Sequence, residues 1–172
     1  MCPGVAGTGL VYHGLAAGTH FTERGGGANY ICAATGADVQ YHPEATTANS
    51  NDSVLHGTEY VTLGRALRNV HNHNAPCAVC EVTSRSKQIM IPGRLTCPHT
   101  WTAEYSGWLM TERNDHYRST FICLDKTPEA VPGAVGDTNG AVMLHVEADC
   151  STGLSCSDYD ETKELSCVVC TK

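Results

Sequence analysis

Four cysteines in the first half of the chain, Cys2, Cys32, Cys77 and Cys80, return in the second half as Cys97, Cys123, Cys167 and Cys170, displaced by 95, 91, 90 and 90 residues. A repeat held in register over that length restricts the fold to two versions of one unit. The residues between the cysteines repeat as well. Cys2-Pro3 is followed by Leu10-Val11-Tyr12-His13-Gly14-Leu15, Thr22-Glu23-Arg24, Asn29-Tyr30-Ile31-Cys32 and Pro76-Cys77-Ala78-Val79-Cys80. The second series reads Cys97-Pro98, Ala103-Glu104-Tyr105-Ser106-Gly107-Trp108-Leu109, Thr111-Glu112-Arg113, Thr120-Phe121-Ile122-Cys123 and Ser166-Cys167-Val168-Val169-Cys170. The chain therefore reads as an internal duplication. The first subdomain covers residues 1–86, a linking strand covers residues 87–91 and the second subdomain covers residues 92–172, together one globular module.

Ten cysteines in 172 residues, an even number, with 17 glycines and only 17% charged residues, match an oxidised extracellular module better than a cytosolic protein. Cys77-x-x-Cys80 and Cys167-x-x-Cys170 also admit a four-thiolate zinc site or a redox pair. Because the two pairs are equivalent elements of a repeat, each with two more cysteines upstream in its own copy, disulfides are the better account. Lys+Arg 11 against Asp+Glu 18 gives a net charge of −7, which opposes a nucleic-acid backbone. No run of eighteen apolar residues is present, and Met1-Cys2-Pro3-Gly4 has neither the basic region nor the apolar core of a signal peptide. A soluble protein without membrane insertion, in mature or trimmed form, is expected.

Gly, Pro, Asn and Asp punctuate short apolar runs, and the expected class is mainly β, with short antiparallel strands and little helix. Strands are expected at Leu10–Tyr12, Glu59–Leu63, Gln88–Ile91, Glu104–Leu109, Phe121–Leu124 and Ala141–Val146, the last with Val142, Leu144 and Val146 on one half-buried face. Gly64–Val70 is the one short helical candidate. Residues 45–53, rich in Thr, Asn and Ser, read as an exposed loop, and Asn51-Asp52-Ser53 within it forms an N-glycosylation sequon.

Pro76-Cys77-Ala78-Val79-Cys80-Glu81, continuing through Ile89–Ile91 to Cys97-Pro98 and Glu104-Tyr105-Ser106-Gly107-Trp108-Leu109-Met110, resembles the junction between the two subdomains of the C-terminal non-collagenous domain of type IV collagen. The chain is more similar still to the C-terminal module of sponge-type short-chain collagens. Gly25-Gly26-Gly27-Ala28-Asn29-Tyr30, Gly57-Thr58-Glu59-Tyr60, Asp137-Thr138-Asn139-Gly140-Ala141 and the ending Glu164-Leu165-Ser166-Cys167-Val168-Val169-Cys170 extend the likeness over nearly the whole chain. The resemblance implies a predominantly β fold of two similar, intertwined subdomains, an extracellular, secreted setting and nested bridges Cys2–Cys80, Cys32–Cys77, Cys97–Cys170 and Cys123–Cys167; Cys150–Cys156 then closes a small extra loop. The chain departs from the collagen-IV pattern in having four cysteines in its first half and six in its second, where that family has six in each. It also lacks the long intersubunit hairpin between Cys123 and Cys150, so the collagen-type hexamer is not carried over.

The two copies differ most after Thr-Glu-Arg. The first continues Gly25-Gly26-Gly27-Ala28, expected to supply positive-φ turns, and the second continues Asn114-Asp115-His116-Tyr117-Arg118. Glu112, Asn114 and Asp115 offer the hard oxygen ligands that calcium prefers. His116 and Arg118 have donors for sugar hydroxyls, and Trp108 or Tyr117 has a face on which a pyranose ring stacks. Against this stands a plain solvated loop in which Glu112 and Arg113 echo Glu23 and Arg24. Rival oxygen-rich stretches are Asp137–Asn139 with Glu147 and Asp149, and Asp38 through Glu44. His71-Asn72-His73-Asn74 matches nuclease and metal motifs in only three residues, and histidines two apart point to opposite faces of a strand.

Two functions follow. One is an extracellular lectin-like module that binds glycans or matrix glycoproteins with calcium. The other is a structural assembly domain that forms trimers or networks. Either is compatible with a homo-oligomer. No nucleophile elbow, phosphate loop, zincin helix or paired-carboxylate context is present, so an enzyme is not expected.

Overall fold

The computed structural model describes residues 1–44, 52–63 and 66–172. Nine strands lie among them: β1 (Thr8–Gly18), β2 (Ile31–Ala33), β3 (His56–Tyr60), β4 (Pro76–Val82), β5 (Gln88–Pro92), β6 (Thr102–Thr111), β7 (Ile122–Asp125), β8 (Ala141–His145) and β9 (Ser166–Thr171). Helical structure among the described residues consists of three-residue 3-10 turns at Gly36–Asp38, Arg68–Val70 and Cys150–Thr152. Of the helix expected over Gly64–Val70, the described part forms only the 3-10 turn Arg68–Val70. Leu67 has a φ of 57°, outside the right-handed helical region, and its carbonyl accepts the Thr62 hydroxyl at 2.9 Å. Gly64, Arg65 and the sequon's Asn51 lie outside the described residues.

The strands form one sheet in the order β2-β1-β3-β8-β6-β9-β5, with β4 also on β1 and β7 also on β6. Only β3 and β8 run parallel, and this pair joins the two halves. The same pairings occur on either side of that seam. Leu10 faces Cys80 and Gly14 faces Cys77, as Ala103 faces Cys170 and Gly107 faces Cys167. A bulge interrupts β1 between Leu10 and Tyr12, and another interrupts β6 between Ala103 and Tyr105. The Tyr12 hydroxyl donates to the Cys32 carbonyl at 3.0 Å, and the Tyr105 hydroxyl donates to the Cys123 carbonyl at 3.1 Å.

Five disulfides tie these strands together: Cys2–Cys80, Cys32–Cys77, Cys97–Cys170, Cys123–Cys167 and Cys150–Cys156. These are the expected pairs, and no described cysteine is free. The core spans the seam. Ala16 of β1, Tyr60 of β3, Met110 of β6 and Met143 of β8 pack together with Val70 and Ala75. Each large apolar side chain buried there contributes roughly 1.5–3 kcal/mol of transfer free energy.

Several strand boundaries differ from those expected. β3 begins at His56 and stops at Tyr60, because the Thr62 amide is drawn off to His71 Nδ1 at 3.0 Å. β1 and β6 run well beyond their expected ends, and β2, β4 and β9 form where no strand was expected. In β8 the consecutive residues Ala141, Val142 and Met143 are all buried, in place of one half-buried face. The strand lies between β3 and β6, and both of its faces are covered there. No helix among the described residues is long and apolar enough to cross a membrane.

Candidate functional site

The loops that follow the two Thr-Glu-Arg segments, one after β1 and one after β6, face each other across a cleft of about 360 Å³. The first loop contributes Thr19, His20, Glu23, Arg24 and Gly25–Ala28; the second contributes Glu112, Tyr117, Arg118 and Ser119. Direct contacts hold the two loops together. Arg24 Nε donates to the Tyr117 hydroxyl at 2.7 Å, and the Tyr117 amide donates to the Phe21 carbonyl at 3.2 Å. The Phe21 ring lies 4.4 Å from His116 and 4.7 Å from His20, which is 5.1 Å from His56. Tyr30 forms part of the cleft wall and donates to the Val142 carbonyl at 2.7 Å; burial raises its pKa well above the usual phenol value.

The proposed calcium ligands do not converge. Glu112 is turned inward, its carboxylate accepting the Val142 amide at 3.0 Å and bonded to His116 Nδ1 at 2.9 Å. Asp115 is exposed and forms a two-pronged pair with Arg113, whose hydrogen bonds bring its carboxyl pKa down to about 2. Asn114 is exposed on the same turn. Of the proposed sugar contacts, Tyr117 and Arg118 line the cleft, and Arg118 has no hydrogen bond or ion pair with the described residues. His116 is held by Glu112 and Phe21. Trp108 packs against the core and lies edge-on to His145 at 5.3 Å, away from the cleft.

Arg24 and the glycine run were not expected to act with Arg118, yet they complete the cleft from the first half. Within the run only Gly26 has a positive φ, 90°, and a Cβ there would meet Thr19 Oγ1 at 2.5 Å. The signal that would have located this site was the shared Thr-Glu-Arg itself, since the loops it introduces are the ones the fold sets face to face.

The rival oxygen-rich stretches are drawn into local structure: the Asn139 side-chain amide donates to the Asp137 carboxylate. The Thr138 and Asn139 amides donate to Glu59 Oε2, and Asp149 accepts the Ser151 amide at 2.8 Å. In the 38–44 stretch, Asp38 closes a 3-10 turn and the Glu44 amide donates to His42 Nδ1 at 3.2 Å. His71 and His73 belong to a loop packed on β3, with His73 Nδ1 at 2.9 Å from the His71 carbonyl. Among the described residues, Cys150, Cys156 and Glu161 form the one cluster of three metal-ligating side chains, but its two sulfurs are joined in a disulfide.

A second feature lies at the far end of the first half. In the second half, β5 covers the outer edge of β9, pairing Gln88 with Thr171, Ile89 with Cys170, Met90 with Val169, Ile91 with Val168 and Pro92 with Cys167. Residues Cys167–Thr171 are accordingly at most 5% exposed. The corresponding strand of the first half, β4, pairs with β1 alone among the described residues. Its Cys77–Cys80 segment is half-buried and Glu81 is exposed. Leu10, Val11 and Tyr12 on the adjoining β1 are between 41% and 57% exposed.

No family model, curated protein or solved structure matches the chain.

Proposed function

We propose that this chain is a secreted structural module of the extracellular matrix that assembles with other polypeptide chains through the open edge of its first half. The observation that carries this reading is the contrast between β9, covered by β5, and β4, which has no strand on its outer side among the described residues. An unpaired strand edge is a template for adding another chain. The five disulfides favour an oxidising compartment, and the sequence resemblance to short-chain collagen modules supports a matrix setting. Binding and assembly, rather than catalysis, make up this role. Sedimentation of the oxidised protein over a wide concentration range tests it: a mass that rises to a multiple of 18.3 kDa is expected, and a monomer at every concentration, alone and with matrix proteins added, would overturn it.

The cleft favours a second reading, recognition of a glycan, because Arg118 has no hydrogen bond or ion pair among the described residues and lies beside the exposed ring of Tyr117. In its calcium-dependent form, Asp115 exchanges Arg113 for the metal, with Asn114 beside it and Glu112 turned outward. A glycan array with calcium and again with EDTA separates these forms. Loss of binding in Asp115→Ala identifies the calcium form, whereas loss only in Arg118→Ala identifies direct recognition.

A further inference from the structure

We infer that the open edge of β4 takes one extended, apolar polypeptide segment of about five residues from a second chain, running antiparallel and set against Cys77–Glu81 in the register that β5 adopts on β9. This rests on the assembly reading and specifies its partner. β1 meets β4 as β6 meets β9, bulge for bulge and bridge for bridge. In that correspondence, Cys167–Thr171 match Cys77–Glu81. The sequence Gln88-Ile89-Met90-Ile91-Pro92 therefore shows what chemistry covers such an edge: an apolar centre, a polar residue opposite the position that Glu81 holds, and proline where pairing ends.

Three properties of β4 fit an added strand. The segment Cys77-Ala78-Val79-Cys80 has no lysine, proline or bulge of its own, the devices that ordinarily blunt an edge. Bridges from Cys77 to Cys32 and from Cys80 to Cys2 hold it in place beforehand, so little ordering is required of the receiving strand. The arm carrying Cys2 does not take the place of β5. Cys2 Sγ lies 4.0 Å from the Val79 carbonyl, as Cys97 Sγ lies 4.0 Å from the Val169 carbonyl, and β9 still has β5 beside it.

The test uses the intact oxidised chain and a peptide of residues 86–94, Ser-Lys-Gln-Ile-Met-Ile-Pro-Gly-Arg, with blocked ends. Amide hydrogen exchange is followed residue by residue at millimolar peptide. The outward amides of Cys77–Glu81 are expected to slow by at least about tenfold while those of β9 stay unchanged. A peptide of the same sequence N-methylated at alternate residues keeps the side chains but cannot pair, and is expected to have no effect. Unchanged β4 exchange, or equal slowing by the methylated peptide, would overturn the inference. The self-association measurement is separate: an oligomer whose β4 amides ignore the peptide defeats this inference alone, and a monomer that binds the peptide defeats only self-assembly.

Discussion

Arg85 Nη2 lies 2.9 Å from Glu104 Oε1, joining the segment between β4 and β5 to β6, and both side chains are largely buried. Thr8 of β1 and Thr171 of β9 donate to the same carboxylate at 2.8 and 2.6 Å. Arg85 also reaches the Thr171 hydroxyl at 2.7 Å and the Ala6 carbonyl at 3.0 Å. Removing one member of such a pair leaves the other charge buried and incompletely compensated. Arg85→Met is expected to lower unfolding stability by about 3 kcal/mol, measured by denaturant titration. Arg85→Met combined with Glu104→Gln should recover part of that loss, and strict additivity would refute the coupling.

The same carboxyl sets an acid limb. Burial pushes the Glu104 pKa up, but hydrogen bonds from Thr171, Thr8 and Arg85, with the charge of Arg85, outweigh it and hold the pKa below its ordinary 4.5. A depressed folded-state pKa means that the unfolded chain binds the proton first, so the contribution is complete above pH 4.5 and is lost as pH falls through the lower folded value. The stability of Glu104→Gln should therefore fall less steeply below pH 4.5 than that of the parent. Parallel slopes in urea titrations at successive pH values would count against this assignment.

Gly14 and Gly107 are required by close backbone approach. A Cβ at Gly14 would lie 1.9 Å from the Ala33 carbonyl oxygen, and one at Gly107 would lie 1.8 Å from that of Leu124. Neither neighbour is a flexible side-chain end, so β1 would have to part from β2, or β6 from β7. Gly14→Ala and Gly107→Ala should each cost about 3 kcal/mol or more. Gly9→Ala is the control, since its Cβ would meet only the Glu81 side chain at 3.7 Å. Thermal unfolding should rank the two close-packed sites together and well below the control.

The sequence made these positions legible only in part. The aligned cysteines marked the strands that must be bridged, and the aligned Gly14 and Gly107 fell at matching points. Yet β4 and β9 escape recognition although they are longer than β5 and β7, because their bridging cysteines obscure the β pattern. The parallel seam between β3 and β8 is hidden as well: pairing between strands far apart in sequence leaves no local periodicity. The cleft suffered in the same way. Tyr117 and Arg118 stand out in one loop, whereas Arg113 reads as a mere echo of Arg24, since nothing in a linear sequence indicates that the two loops face each other. Trp108 is ambiguous in sequence for a different reason: an aromatic residue suits a sugar face and a core equally well, and here it packs against the core beside His145.

Loop length should order the bridges. Cys32–Cys77 closes 45 residues and Cys150–Cys156 closes 6. On the chain-entropy account, removing the first pair by double alanine substitution costs about 4 kcal/mol and removing the second about 2 kcal/mol. The first pair also anchors β4 to β2, so its loss should selectively speed amide exchange in both strands. Equal losses at the two sites would show that local packing, rather than restriction of the unfolded chain, governs their contributions.

Glu59 is fully buried in β3, and its Oε2 accepts the Thr138 amide at 2.9 Å, the Thr138 hydroxyl at 3.0 Å and the Asn139 amide at 3.1 Å. This one oxygen fixes the turn that delivers the chain into β8, where Asn139 adopts a φ of 47°. Glu59→Ala removes the acceptor from two backbone amides at once, and a loss of about 2–4 kcal/mol is expected. Glu59→Gln keeps an acceptor oxygen in the same place and should cost less. Amide exchange at Thr138 and Asn139 reports the turn directly: it should accelerate strongly in the alanine variant and only modestly in the glutamine variant. If the two variants behaved alike, the negative charge rather than the acceptor geometry would be what holds the first half's β3 to the approach of β8.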